Sequence, residues 1–159
     1  MAQHTPKSSV EVVLIALATP ILVGVYKEGV LQESIVSEQK TSEALPRIFK
    51  DIIQKYDLTR VYFARGPGSF MSIKLVYIFL QTLHIVKKIE LRGCDAFTFN
   101  DNAPIKATGN LYFVKENGTI VTKILRDVEQ KPFSLPKQLK NLACDEETSP
   151  LYILPAVKV

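Results

Sequence analysis

The densest chemical signal in the chain is the run Arg65-Gly66-Pro67-Gly68-Ser69-Phe70. It lies between a short β-branched and aromatic stretch and a long apolar one, so it reads as a loop from a strand into a helix. Backbone N–H groups converge at the start of a helix and could cradle an anion there, with Arg65 and Lys74 adding charge. Arg65, Gly66, Gly68 and Ser69 are therefore the candidate anion contacts. The loop lacks the Gly-Lys-Ser/Thr ending of a P-loop. The competing reading is a tight turn in which the glycines supply unusual dihedrals and Ser69 caps the helix. The turn is the better reading, with Gly68 expected to take a positive φ.

Other residue types offer less. A Ser69/His84 hydrolase pair fails on geometry, because both residues belong to one helix and lie several turns apart. Cys94 follows Arg92-Gly93 and could be a reactive thiol, but reads more simply as a small core residue. Cys94 and Cys144 form no metal-type spacing and are expected as two reduced thiols of a cytosolic protein. His4 and His84 lie far apart, so no metal site is expected. No Asp or Glu occurs between Glu11 and Glu28. The run Asp145-Glu146-Glu147 reads as a solvated loop.

The elements that must position these residues are legible from the pattern. The run Glu11 to Thr19 is almost continuously apolar, as a buried central strand is. Ile21 to Tyr26 and Val30 to Val36 follow as strands around Lys27-Glu28-Gly29, completing an antiparallel meander. Leu45, Ile48, Phe49, Ile52, Ile53 and Tyr56 then repeat at helical spacing, with Thr41 or Ser42 as cap and Pro46 near the first turn. A strand over 60–64, a helix to about Val86, and a strand at Ile89-Glu90-Leu91 complete a β-β-β-α-β-α-β order. That order is an α/β layout with a mixed sheet. Beyond Asn102 the character changes to short strands and turns, with Asn117-Gly118 marking a hairpin and a last strand expected over 151–154.

These boundaries divide the chain into a polar leader over residues 1–9, a lobe over 10–102 and an abridged second subdomain over 103–159. The leader lacks the apolar core of a signal peptide. With 47% hydrophobic residues in 159, the chain can build a real core. Its 20 basic against 16 acidic residues tolerate a polyanionic partner without demanding one. The apolar stretch from Met71 to Val86 contains Lys74, Gln81 and His84 and is short for a membrane crossing, so no membrane role is expected.

The element order is that of the half-unit of the actin/Hsp70-like ATPase fold, the ribonuclease H-like lobe. Two segments narrow the resemblance. Thr41-Ser42-Glu43-Ala44-Leu45-Pro46-Arg47-Ile48 resembles the TsaB (YeaZ) family pattern His-Ser-Glu-x-Leu-x-Pro-x-Ile, with Thr41 in place of the histidine and one spacer fewer. Arg65-Gly66-Pro67-Gly68-Ser69-Phe70 is similar to that family's Gly-Pro-Gly-Ser-Phe-Thr-Gly-Leu-Arg signature through the phenylalanine. Met71, Ser72, Ile73 and Lys74 then stand where Thr, Gly, Leu and Arg are usual. The resemblance spans residues 12–100. It departs at the end of the first strand, where Ala16-Leu17-Ala18-Thr19 replaces the family's acidic segment, and after Asn102, where the second lobe is shortened.

The resemblance implies a catalytically empty relative of TsaD, the enzyme that transfers threonylcarbamoyl to adenine 37 of tRNA (t6A). Such a subunit would dimerise with a TsaD-like enzyme, be joined by a TsaE-like ATPase, and meet tRNA through the complex in the cytoplasm. It would hold no cofactor of its own, ATP and metal residing on its partners. The second helix supports this, since Lys74, Gln81, His84 and Lys88 form one narrow polar stripe and almost everything else is apolar. Two flanks compete as the interface, Ile73/Tyr77/Leu80 and Met71/Ile78/Ile85. The candidate partner contacts are Ile48, Ile52, Met71, Ile73, Lys74, Tyr77, Ile78, Leu80, Gln81 and Ile85, and the same face would favour a homodimer when the partner is missing. Two alternatives stay open: a small nucleotide- or anion-binding enzyme using the loop from Gly66 to Ser69, and a tRNA-docking module.

Overall fold

A computed structural model describes residues 6–153. His4, most of the proposed leader and the end of the expected last strand at Leu154 lie outside the described residues. Within them the leader is shorter than expected, because β1 (Ser9–Ile15) already includes Ser9 and Lys7 donates from Nζ to Ile53 O at 2.9 Å.

β1, β2 (Ile21–Lys27) and β3 (Val30–Ser37) form the antiparallel meander. After α1 (Thr41–Lys55), β4 (Asp57–Ala64) adds parallel to β1. α2 (Phe70–Lys87) then crosses over to β5 (Glu90–Cys94), which lies parallel to β4. The resulting order is β3-β2-β1-β4-β5-β9, a mixed six-stranded sheet whose last strand, β9 (Cys144–Asp145), comes from far along the chain. β1 occupies the middle, which is why its sequence is apolar on both faces: Val10, Val12 and Leu14 face the helices, while Val13 and Ile15 face the other way.

On the helix face, the period seen in α1 does its expected work. Leu45, Ile48, Phe49 and Ile52 are all buried. Thr41 is the first helical residue rather than the cap, and Lys40 at the cap position supplies no side-chain bond. Pro46 lies inside the helix, where its missing N–H forfeits one backbone bond. α2 buries only Ile73, Val76 and Leu80. By length and composition α2 is apolar enough to cross a membrane. In this fold it is instead the crossover between two neighbouring parallel strands and packs on the sheet.

Among the described residues, the opposite face has no helical cover beyond a 3-10 turn, Ala96–Phe99. Residues beyond Pro132 cover it, with Phe133, Leu135, Leu139 and Leu142 packed against Val13, Ile15 and Tyr26. Tyr26 is fully buried and donates its hydroxyl to Pro136 O at 2.5 Å. Leu31 N donates to Lys137 O and Leu139 N to Gly29 O. The segment then pairs with the outer edge of β5 as β9 (Cys144–Asp145). Part of the region read as a second subdomain thus returns to the first sheet.

The rest of that region is a separate three-stranded antiparallel sheet of β6 (Ile105–Thr108), β7 (Leu111–Glu116) and β8 (Thr119–Ile124). The β7–β8 turn places Asn117 and Gly118 at φ of 50° and 81°. Two successive positive φ values are what an Asn-Gly hairpin turn requires. Residues 151–153 form no strand.

Candidate functional site: the Arg65–Phe70 loop and the outer face of α2

The loop leaves the C-terminal end of β4 and enters α2 through Ser69, whose backbone is extended (φ −61°, ψ 123°) and whose Oγ accepts from Ser72 N at 3.4 Å. Ser69 is therefore the helix cap that its type and position suggest. Gly66, rather than Gly68, carries the positive φ, at 139°. The expectation for Gly68 fails because the sharp change of direction comes at the strand end. Gly68 instead permits a close approach: a Cβ there would lie 3.1 Å from Leu17 Cβ.

The polar groups at the start of the loop are engaged by the chain itself. Arg65 N donates to Cys94 O at 2.8 Å, Ala96 N donates to Gly66 O at 2.8 Å, and Leu151 N donates to Arg65 O at 3.1 Å. The Arg65 guanidinium reaches Ser149 O at 2.7 Å and Glu147 Oε1 at 3.8 Å. Hydrogen bonds from the Ser149 hydroxyl and backbone hold the Glu147 carboxyl below its usual range. A Cβ on Gly66 would sit 2.2 Å from Leu151 O. Arg65 and Gly66 thus meet residues 147–151, whereas Gly68 and Ser69 line an open cleft, so the four candidate anion contacts do not face one common space.

Beside the loop lies a cleft of about 510 Å³ between the end of β1, the start of α2 and β6. A neighbouring hollow of about 500 Å³ runs past Thr19 and Pro20. Among the described residues, their walls hold Lys106 and Lys131 but no carboxylate. An actin-type nucleotide site needs acidic residues at a strand end to hold magnesium through water. Leu17 and Ala18 stand there instead, so these residues do not fit a magnesium nucleotide. Buried Asn100 also lines the second hollow; it donates to Ala103 O, and its Oδ1 has no protein partner. Nothing in the local sequence pattern singles that residue out.

The Ser69/His84 pair is separated by the length of α2, roughly 22 Å for 15 helical residues. His84 Nδ1 donates to Ile89 O at 2.8 Å, tying off the helix end. The expectation of two free thiols is overturned. Cys94 and Cys144 are joined as a disulfide, with Cα atoms 4.4 Å apart. Sequence spacing hid the pairing because it depends on β9 returning to β5 after a separation of 50 residues.

The outer face of α2 resolves the two competing flanks. Ile73 and Leu80 are buried at 3% and 0%, and Tyr77 is half-buried, so that flank belongs to the chain's own core. Ile48 and Ile52 of α1 are likewise core residues. The other flank is bare: Met71, Ile78 and Ile85 are 65%, 51% and 74% exposed. Lys74 is exposed beside them and Gln81 half-buried. Phe70 meets Tyr152 edge-to-face, their ring centroids 5.2 Å apart.

The strand order, the parallel β1-β4-β5 core and the α2 crossover can now be set beside known proteins. A structure of YeaZ from Pseudomonas aeruginosa superposes with a TM-score of 0.57 at 15% identity, over 72% of this chain and 64% of that one. The fold is that of YeaZ. A second structure, of an uncharacterized protein with similarity to peptidase YeaZ from Pseudomonas aeruginosa, gives a TM-score of 0.59 at 14% identity. That match covers 77% of this chain and 69% of the other. The chain therefore spans somewhat less than two thirds of the first YeaZ structure. No family model and no curated protein sequence matches it. The actin-like α/β lobe expected from the sequence is the fold observed.

Proposed function

We propose that this chain is a TsaB-like accessory subunit, docking through the bare flank of α2 onto a TsaD-like threonylcarbamoyltransferase that modifies adenine 37 of tRNA in the cytoplasm. The observation that carries the reading is the apolar flank Met71/Ile78/Ile85, left exposed on a YeaZ-type lobe. An apolar helix face of this extent on a single chain marks an association surface. In this reading the chain performs no chemistry, ATP and metal reside on the partners, a TsaE-like ATPase joins the assembly, and tRNA is met through the complex. The carboxylate-free cleft supports the non-catalytic part. Where the partner is absent, the same flank favours a homodimer.

The interface therefore narrows to Met71, Lys74, Ile78 and Ile85, with Gln81 and Tyr77 at its margin. The nucleotide- or anion-binding alternative loses ground because the chain's own 147–151 segment takes Arg65 and Gly66, leaving Gly68 and Ser69 alone on the cleft. The test is binding of the Ile78→Glu variant to the TsaD-like protein of the same organism, with light scattering for self-association and circular dichroism for fold. A charge at the centre of a packed interface costs on the order of several kcal/mol, so binding should weaken by about a hundredfold or more while the fold persists. A folded Ile78→Glu protein that associates like the parent would overturn the proposal.

A further inference from the structure

Residues 144–153 lie as a strap across the C-terminal ends of β4 and β5. Ligands of open α/β sheets bind in the crevice beyond such strand ends. The strap fits its seat closely. A Cβ on Gly66 would lie 2.2 Å from Leu151 O, and one on Gly93 would lie 2.1 Å from Glu147 O. These two glycines, on different strands' ends, make room for the strap's own carbonyls. The remaining ties are few. β9 is two residues long. Beyond it, among the described residues, the strap is held by Leu151 N to Arg65 O, Arg65 to Ser149 and Glu147, Arg92 to Glu146, and the Phe70–Tyr152 contact. Two of these five are ion pairs to exposed carboxylates, which contribute little.

The covalent tie stands at the strap's base. Cys144 is the antiparallel register partner of Cys94. Their Cα separation of 4.4 Å is the close spacing of a non-hydrogen-bonded cross-strand pair. Cys94 is buried and Cys144 half-buried, so Cys144 presents the more accessible sulfur.

We propose that Cys94–Cys144 is a redox clasp: the disulfide holds the strap over the Arg65–Phe70 loop, and two-electron reduction by a dithiol releases it. One thiolate of the dithiol attacks Cys144 Sγ, and the protein S–S bond breaks with Cys94 leaving as a thiolate that takes up a proton. The second thiol of the reductant then attacks the mixed disulfide. The reductant departs as its own disulfide and Cys144 becomes a thiol. Two electrons and two protons pass from the dithiol to the protein. Release bares the crevice beyond β4 and β5 and removes Tyr152 from Phe70, changing the apolar surface where α2 begins.

The test needs no partner protein, so its outcome is independent of the proposed accessory role. The full chain is held in oxidised glutathione or in dithiothreitol, its cysteines are counted by alkylation under native conditions, and amide exchange is followed by mass spectrometry. The oxidised protein should alkylate at neither cysteine. In dithiothreitol, exchange over residues 65–70 and 147–152 should quicken by about tenfold or more while the α1 amides remain protected. Cys144→Ser in oxidised glutathione should exchange as the reduced parent does, so the proposal does not depend on the buried Cys94 accepting substitution. Two alkylated cysteines in oxidised glutathione would overturn the clasp. So would identical exchange in both states, or outright loss of protection in α1.

Discussion

The two faces of the sheet are covered by different means. α1 and α2 cover one face with side chains at helical spacing, and its core includes fully buried residues such as Leu80 and Ile48. The other face is covered by irregular chain, whose Leu135, Leu139 and Leu142 are only partly buried. That cover is fastened at discrete points: the Tyr26 hydroxyl, a few backbone bonds to β2–β3, and the disulfide to β5. One face is held by packing and the other by fasteners. A helix satisfies its own backbone and needs only a matching apolar stripe, whereas a loop must find partners for its polar groups one by one.

The difference is sharpest for core truncation. Leu80→Ala should cost about 2–5 kcal/mol, because it leaves a cavity in a fully enclosed site. Leu139→Ala on the fastened face should cost about 1 kcal/mol, near the centre of ordinary substitutions. Urea unfolding of both variants measures this, and equal losses would erase the contrast. The disulfide comes next. It closes a loop with a sequence separation of 50, so its loss through Cys144→Ser should cost about 2–4 kcal/mol in oxidising buffer and nothing in reducing buffer. Leu80→Ala should respond to neither buffer, so a redox-dependent loss there would show that the two faces are one cooperative unit.

The smallest effect belongs to Tyr26. Burial pushes its phenol up, well above its ordinary value of 10.0. Its neutral form is therefore favoured in the folded state, and the stabilisation is complete below pH 10 and declines as pH rises beyond it. Tyr26→Phe should cost about 1 kcal/mol at neutral pH by leaving Pro136 O without its donor. The variant should also unfold less steeply than the parent above pH 10, and parallel curves for the two proteins would detach the pH response from this residue.

The same contrast accounts for what the sequence disclosed. The meander, α1, α2 and the strands on either side of α2 rest on periodicities within a dozen residues, and each was legible, though not the parallel pairing of β4 with β5. The Ser69 cap and the Asn117-Gly118 turn were legible because one residue's chemistry sets the backbone there. β6, β9, the Pro132-to-Leu142 cover and the Cys94–Cys144 bridge were not, since each depends on contacts far apart in the chain. At the candidate site, the loop's location was readable from Gly66-Pro67-Gly68-Ser69, but its contents were not. Nothing near Arg65 announces that Ser149 and Leu151 will fill it. Likewise helical spacing showed that α2 is apolar nearly all round, but only packing decides that Ile73 and Leu80 turn inward and Ile78 outward.

The position of the cover in the chain also imposes a schedule. During synthesis at roughly 5–20 residues per second, the stretch between the two bridged cysteines takes about 3–10 s to emerge. Val13 and Ile15, buried in the finished protein, emerge about 120 residues ahead of Phe133, Leu135 and Leu139 and so wait roughly 6–24 s without them. A nascent chain paused near residue 130 would present a half-dressed sheet to the ribosome's surroundings. The same apolar face that later carries this cover is then a landing place for chaperones or for a neighbouring nascent chain.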